Sequence, residues 1–172
     1  ITINAHGEPL SYGPMPVLVE LLRQIPQIKT ISLITNGTLL SKEIIDKLAA
    51  AGLSTLNISL NAIDPQTAKK LEGHGKYDVE KVKRLARYAA KHLQVIIAPV
   101  YIPKHNDQEL KKLILFGKEI GAEVDIQNFL SYNKGRNPIE SMPMDQFYEK
   151  LKKLEKETGM KLIVDAAAFG IV

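Results

Sequence analysis

Asn57, Ser59 and Asn61 stand two residues apart in the run Thr55-Leu56-Asn57-Ile58-Ser59-Leu60-Asn61. Side chains of a strand alternate between its faces, so these three polar groups share one face while Leu56, Ile58 and Leu60 take the other. Amides and a hydroxyl on an inner face cost desolvation unless a ligand or water satisfies them. Gly7-Glu8-Pro9 closes another strand-like run, residues 1–6. There the glycine lets the backbone approach a ligand, the carboxylate can accept hydrogen bonds from an ammonium, and the proline stiffens the exit. Thr35-Asn36, Lys104-His105 and Gln127-Asn128, with Tyr132 beyond, end the other runs. The turn-rich loop that follows carries Lys134 and Arg136, which suit a phosphate or carboxylate clamp.

Each feature also has a plainer reading. Glu8 in a turn is as readily a solvated carboxylate, and Asn36-Gly37 is a common turn pair. Ser59 reads more easily as a satisfied strand hydroxyl than as a nucleophile, and loop 132–138 as an exposed loop. The four histidines show neither metal-ligand spacing nor a Ser/His/Asp arrangement. His92 falls in a helix tail, which leaves His105 as the histidine best placed for site work.

The elements that must position these residues repeat one grammar: a short strand, a polar loop, an amphipathic helix, a glycine. Strands are predicted at 1–6, 30–35, 55–61, 94–102, 123–129 and 161–164. Helices are predicted at 16–23, 42–51, 65–71 with 79–92, 107–120 and 145–158. Ser41 and Asp64 read as N-caps, Asn106 with Glu109 as a capping box, and Gly52, Gly121 and Gly159 as left-handed helix ends. Alternating strands and helices imply an α/β fold of parallel strands covered by helices. Polar inner faces on neighbouring strands favour a partial (β/α) barrel with a wet interior over an open doubly wound sheet. Ligands of such folds bind at the carboxyl ends of the strands, where the polar residues above collect.

The 172 residues amount to one domain, with 45% hydrophobic and 24% charged residues, the balance of a soluble globular chain. No apolar run is long enough for a membrane span, and no leader is evident. The net charge of +4 comes largely from helical stretches such as Lys81, Lys83, Arg84, Arg87 and Lys111, Lys112, Lys118. A solvated helix face is the plainer reading of that excess; an anion-attracting surface is the other. With no cysteine there is neither a disulfide nor a thiolate metal site in these residues, which fits a reducing, cytoplasmic setting.

In order and spacing, Gly7-Glu8-Pro9-Leu10, Thr35-Asn36-Gly37-Thr38-Leu39-Leu40 and the stretch 51–65 resemble the radical S-adenosylmethionine (SAM) enzymes, over roughly residues 1–130. The likeness is greatest to the branch with the molybdenum-cofactor cyclases. The resemblance implies a TIM-barrel-like partial (β/α)6 core with SAM and a [4Fe–4S] cluster as cofactors. It implies that Gly7, Glu8 and Pro9 meet the SAM amino group and that Thr35 and Asn36 lie beside SAM. Ser59 and Asn61 would sit near its methionine or ribose part, and residues 99–106 near adenine or ribose. Family members often carry Asp where this chain has Asn61. His105, Gln127, Asn128, Lys134 and Arg136 are expected on the substrate side. The family's three-cysteine loop is absent here, so the chain is expected to be a single-domain piece beginning at the second strand, with its cluster ligands elsewhere. Alone it is expected to be inactive in SAM cleavage, and marginal or self-associating through an uncovered sheet edge. The parent protein would generate a 5′-deoxyadenosyl radical that abstracts hydrogen from an unknown substrate. The alternatives are a cluster-free (β/α)-barrel lyase or isomerase using Glu8, His105, Lys134 and Arg136, and a non-catalytic nucleotide- or RNA-binding module.

Overall fold

A computed structural model describes residues 1–73, 75–131 and 139–163. Five strands, β1 (Thr2–Ile3), β2 (Ser32–Thr35), β3 (Thr55–Ile58), β4 (Gln94–Ile97) and β6 (Glu123–Val124), form one parallel sheet in chain order. β5 (Val100–Tyr101) and β7 (Gln127–Asn128) pair in parallel beyond it. The helices are α1 (Met15–Arg23), α2 (Lys42–Ala50), α3 (Pro65–Glu72), α4 (Val79–Ala89), α5 (Asp107–Ile120) and α6 (Met144–Thr158).

Strand order follows chain order, so every right-handed crossover carries its helix to the same side. Burial agrees. Leu33, Leu56, Ile58, Val95, Ile97 and Val124 are buried beneath the helices, whereas Ile34, Asn57, Ser59 and Ile96 on the other face are half-buried. The parallel registers Ile34↔Asn57↔Ile96 and Leu33↔Leu56↔Val95 hold the two sets apart. This is the wall of a partial barrel, not a sheet wrapped on both faces.

Local chemistry sets the helix ends. Ser41 accepts from the Ile44 amide, Asp64 from Thr67 and Asp78 from Lys81, while Gly121 and Gly159 adopt the left-handed conformation at helix ends. Arg23 binds the lower ends of the strands together, donating to the carbonyls of Lys29 and Gly52 and to Ser54 Oγ.

Five expectations need correction. The first strand is only Thr2–Ile3: among the described residues it pairs with β2 alone, and residues 4–6 are exposed as the chain bends towards Gly7. The run 94–102 is two strands, because Pro99 has no N–H to donate and the Val100 amide is taken by Asn61 Oδ1 at 2.8 Å. Its neighbour 123–129 divides alongside it. Bonds from the amides of Asp125, Gln127 and Phe129 to the carbonyls of Ile97, Pro99 and Tyr101 carry the pairing across the bend. Residues 161–163 form no strand, since the Leu162 and Ile163 amides both donate to Glu155 Oε1, at 2.7 and 2.9 Å; Val164 lies outside the described residues. Asn106 and Glu109 form no capping box, because both side chains turn to other elements. Asn106 Nδ2 donates to the carbonyls of Asn61 and Val100, and Glu109 Oε2 accepts from the amides of Ile63 and Asp64.

Candidate functional site

Glu8 is the hinge pin of the carboxyl end of the wall. It caps a short 3-10 turn, Pro9–Ser11, and its Oε1 accepts from the Leu10 amide at 3.0 Å and from Thr35 Oγ1 at 2.6 Å. Its Oε2 accepts from the Asn36 amide at 2.8 Å. One carboxylate therefore joins the turn after β1 to the end of β2. Pro9 is buried, and Gly7 has φ +108 with nothing within 4 Å of where a Cβ would stand. Thr35 Oγ1 also accepts from the Gly37 amide, and Asn36 Oδ1 accepts from the amide and hydroxyl of Thr38. This corner needs a glycine: Gly37 has φ +79, and an added Cβ would lie 2.8 Å from Val82 Cγ1.

Beside that corner, the Ser59 amide donates to the Thr35 carbonyl at 2.9 Å. The Ser59 hydroxyl meets no partner among the described residues, and Asn57 Oδ1 is buried without one. Asn61 is tied in on both sides, accepting from Val100 and donating to Glu72 Oε1 at 2.9 Å. Burial raises the pKa of Glu72, and the Asn61 bond only partly offsets it. Tyr77, whose hydroxyl reaches the Asn36 carbonyl at 3.4 Å, is likewise raised, by burial first and then by the charge of Glu72. Glu8, Thr35, Asn36, Ser59 and Asn61 thus form one cluster, to which Glu72 and Tyr77 belong.

The remaining candidates lie past the bend. His105 is exposed and lines an open cavity of about 410 Å³ with Lys104, Glu140, Ser141 and Met142. Lys104 has φ 67, a left-handed conformation rare for a side chain of its size, and its amide donates to Asp107 Oδ2 at 2.6 Å. Asp107 is also held by the Tyr101 hydroxyl and Lys150 Nζ, at 2.7 and 2.9 Å. Burial works to raise the Asp107 pKa, but these donors outweigh it and hold the carboxyl below its ordinary range. Asn128 donates to the Met142 carbonyl at 2.7 Å, on the wall of the same cavity, while its Oδ1 is buried and unpartnered. Gln127 is exposed, its side-chain amide 3.5 Å from Asp125 Oδ2. Lys134 and Arg136 lie outside the described residues. Among the described residues no group of side chains is arranged to hold a metal ion, and no helix is long and apolar enough to cross a membrane.

Sequence reasoning missed Glu72, Tyr77 and Glu109. Glu109 is buried, and its Oε1 accepts from Lys112 at 2.6 Å. Burial works to raise its pKa; Lys112 and the amides of Asp64 and Ile63 outweigh it, leaving the carboxyl below its ordinary value. Its spacing from Asn106 was the available signal, and it pointed to a cap instead of to the loop after β3.

The family model of the radical SAM superfamily matches residues 5–117. The chain is 31% identical over 195 residues to an uncharacterized protein of Methanocaldococcus jannaschii, MJ0103, covering 98% of this chain and 45% of that one. It is 32% identical over 162 residues to a probable GTP 3′,8-cyclase of Methanococcus aeolicus, covering 90% of this chain and 49% of that one. In fold it is similar to Streptococcus suis SuiB bound to S-adenosylmethionine, with a TM-score of 0.68 at 22% identity, covering 91% of this chain and 35% of that one. The chain spans about half the length of the curated relatives it matches. The matched residues 5–117 carry the sequentially ordered parallel strands β2, β3 and β4 with the polar groups at their carboxyl ends, and the chain belongs to the radical SAM superfamily.

Proposed function

We propose that these residues are the SAM-binding wall of an enzyme in which a [4Fe–4S] cluster cleaves SAM to a 5′-deoxyadenosyl radical that takes hydrogen from a substrate. The observation that carries this reading is Asn57 Oδ1, buried on the inner wall without a partner, with the half-buried Ser59 hydroxyl beside it also unbonded among the described residues, next to the hydrogen-bonded corner of Glu8, Thr35 and Gly37. A buried orphan acceptor is costly and is ordinarily satisfied by something bound.

The residues present fit SAM. Glu8 accepts three bonds from the protein, and a carboxylate has about four acceptor positions, so one on Oε2 remains for an ammonium. The open space at Gly7 admits a ligand against the backbone. Ser59 offers its hydroxyl to a ribose or carboxylate oxygen. Asn61 keeps one N–H and one lone pair unused by Glu72 and Val100. Thr35 and Asn36 act by shaping the corner. The cavity beside His105 and Asn128 serves the substrate side. The residues do not fit a [4Fe–4S] cluster, which thiolates hold; the 172 residues contain no cysteine, so its ligands come from outside them and this chain alone does not cleave SAM.

Equilibrium dialysis with labelled SAM tests the wall. The whole protein, reconstituted anaerobically, is expected to bind SAM, and Ser59→Ala to weaken it about three- to tenfold, the worth of one hydrogen bond. With dithionite the whole protein should release 5′-deoxyadenosine and the 172-residue chain none. Deoxyadenosine from the cysteine-free chain, or full SAM affinity in Ser59→Ala together with Asn57→Leu, would overturn the reading.

A further inference from the structure

Asn36 is the chain's one asparagine followed by glycine. Such a pair is chemically labile in water. The glycine nitrogen bonds to the asparagine Cγ, and Nδ2 leaves as ammonia with the proton the glycine amide gives up. Water then opens the five-membered imide to aspartate or isoaspartate. Glycine favours the attack because it sets no side chain in the way. Asn4, Asn57, Asn61, Asn106 and Asn128 are each followed by a residue that does. Replacing the glycine is not open to this chain, since Gly37 has φ +79 and its Cβ would stand 2.8 Å from Val82 Cγ1. The corner after β2 thus carries a labile pair that its own backbone requires.

The same corner restrains the pair. The peptide unit between Asn36 and Gly37 is held at both ends, its N–H donating to Thr35 Oγ1 at 3.1 Å and its carbonyl accepting from the Tyr77 hydroxyl at 3.4 Å. Thr35 Oγ1 donates in turn to Glu8 Oε1 at 2.6 Å, so a carboxylate stands behind the bond and strengthens it. The Gly37 nitrogen must shed its proton to attack, and a hydrogen bond made by the protonated form holds that proton in place. Thr35 is 1% exposed, which keeps water from competing for its hydroxyl. The carboxamide is fixed as well, because Asn36 Oδ1 accepts from the Thr38 amide and hydroxyl at 2.9 and 2.6 Å.

We propose that Asn36 is a site of spontaneous deamidation, and that the clasp of Thr35 and Glu8 suppresses it in the folded chain. Isoaspartate there would add a methylene to the main chain between the two amides that Glu8 and Thr35 hold, so one event would undo the clasp. The lesion is the same whatever the corner binds.

The test is peptide mapping by mass spectrometry of the 172-residue chain, kept in mildly alkaline buffer well below its melting transition, with conversion of Asn36 followed over time. The chain in urea sets the unprotected rate. The folded chain should convert at least about tenfold more slowly, because conversion waits for the corner to open. Thr35→Val removes the acceptor for Gly37 and should speed conversion about five- to tenfold, the worth of one to two hydrogen bonds. Thr35→Ser keeps the hydroxyl and should age like the parent chain. Leu151→Ala, at a buried position of α6, which packs on α5, lowers stability without touching the clasp and should also age like the parent. If Thr35→Val does not fold, Glu8→Gln, which loosens the same clasp, takes its place under the same criterion. The proposal fails if the folded chain converts Asn36 as fast as the chain in urea, or if neither converts it. It fails if folded Thr35→Val ages no faster than the parent, if Thr35→Ser ages like Thr35→Val, or if Leu151→Ala speeds conversion as much.

Discussion

Replacing Glu8 by Gln separates two jobs that one carboxylate performs. Oε1 takes two donors, Leu10 N and Thr35 Oγ1, and Oε2 takes the Asn36 amide. A carboxamide presents one oxygen and one N–H₂ group. With its oxygen kept on Leu10 and Thr35, its N–H₂ group faces the Asn36 amide, donor against donor; flipped, it faces Leu10 N. Either way one charge-assisted bond is lost and an amide is left facing a donor, worth about 1.5–3 kcal/mol. For a chain of this size that is a fall in melting temperature of roughly 3–12 °C. The assay is circular dichroism melting of the 172-residue chain without SAM, with urea unfolding as a second probe. A Glu8→Gln variant that melts with the parent chain would refute the clasp. SAM affinity in the whole protein would then report on the ammonium contact alone, whereas a variant both less stable and weaker in binding shows that the clasp shapes the site.

Three further outcomes follow from the same corner. Gly37→Ala should cost about 2–4 kcal/mol in urea unfolding, from the strained φ of +79 and the close approach to Val82. Glu72 has its pKa raised by burial, so its ionisation opposes folding: that penalty is fully present above the folded pKa and fades as pH falls towards the ordinary value of 4.5. Glu72→Gln, which keeps an acceptor for Asn61, should therefore be the more stable protein at pH 7, with the advantage shrinking as pH falls through the raised pKa and lost below the ordinary value of 4.5 in melts across pH; equal curves at pH 7 would contradict the assignment. Asn61→Asp should destabilise the chain at pH 7 by setting a second carboxylate against Glu72, and Glu72→Gln should recover most of the loss in a double-mutant cycle.

The sequence made the wall legible and the joints between its parts illegible, for physical reasons. The strand read at 55–61, of which β3 forms Thr55–Ile58, and α5 were evident because each buries one face, and burial imposes a period on the side chains. The caps at Ser41 and Asp64 were evident because they act within four residues. Glu109, Glu155 and Asn106 satisfy backbone groups on other elements or past the end of their own helix, and no local pattern records a bond to Asp64, Leu162 or Val100. Residues 161–163 carry a strand-like apolar run, but the Glu155 carboxylate claims their donors first. In the same way Pro99 was visible in the sequence, while the division of both strands around it depended on Asn61 reaching the Val100 amide.

Asn61 and Glu72 show how a departure at one position is read only with its neighbour in view. The family resemblance implies Asp at position 61, where this chain carries the uncharged Asn61. Here the Glu72 carboxylate stands 2.9 Å from the Asn61 amide, on the last turn of α3, and burial raises its pKa. An amide at 61 can donate to that carboxylate and accept from Val100 at once, which an ionised Asp cannot do, because it has no N–H to offer. Asn61 and Glu72 are therefore one unit. The carboxylate at this rim is carried by α3 and held by Asn61 in the loop after β3, so a substitution at either position must be judged by what it leaves unpaired at the other.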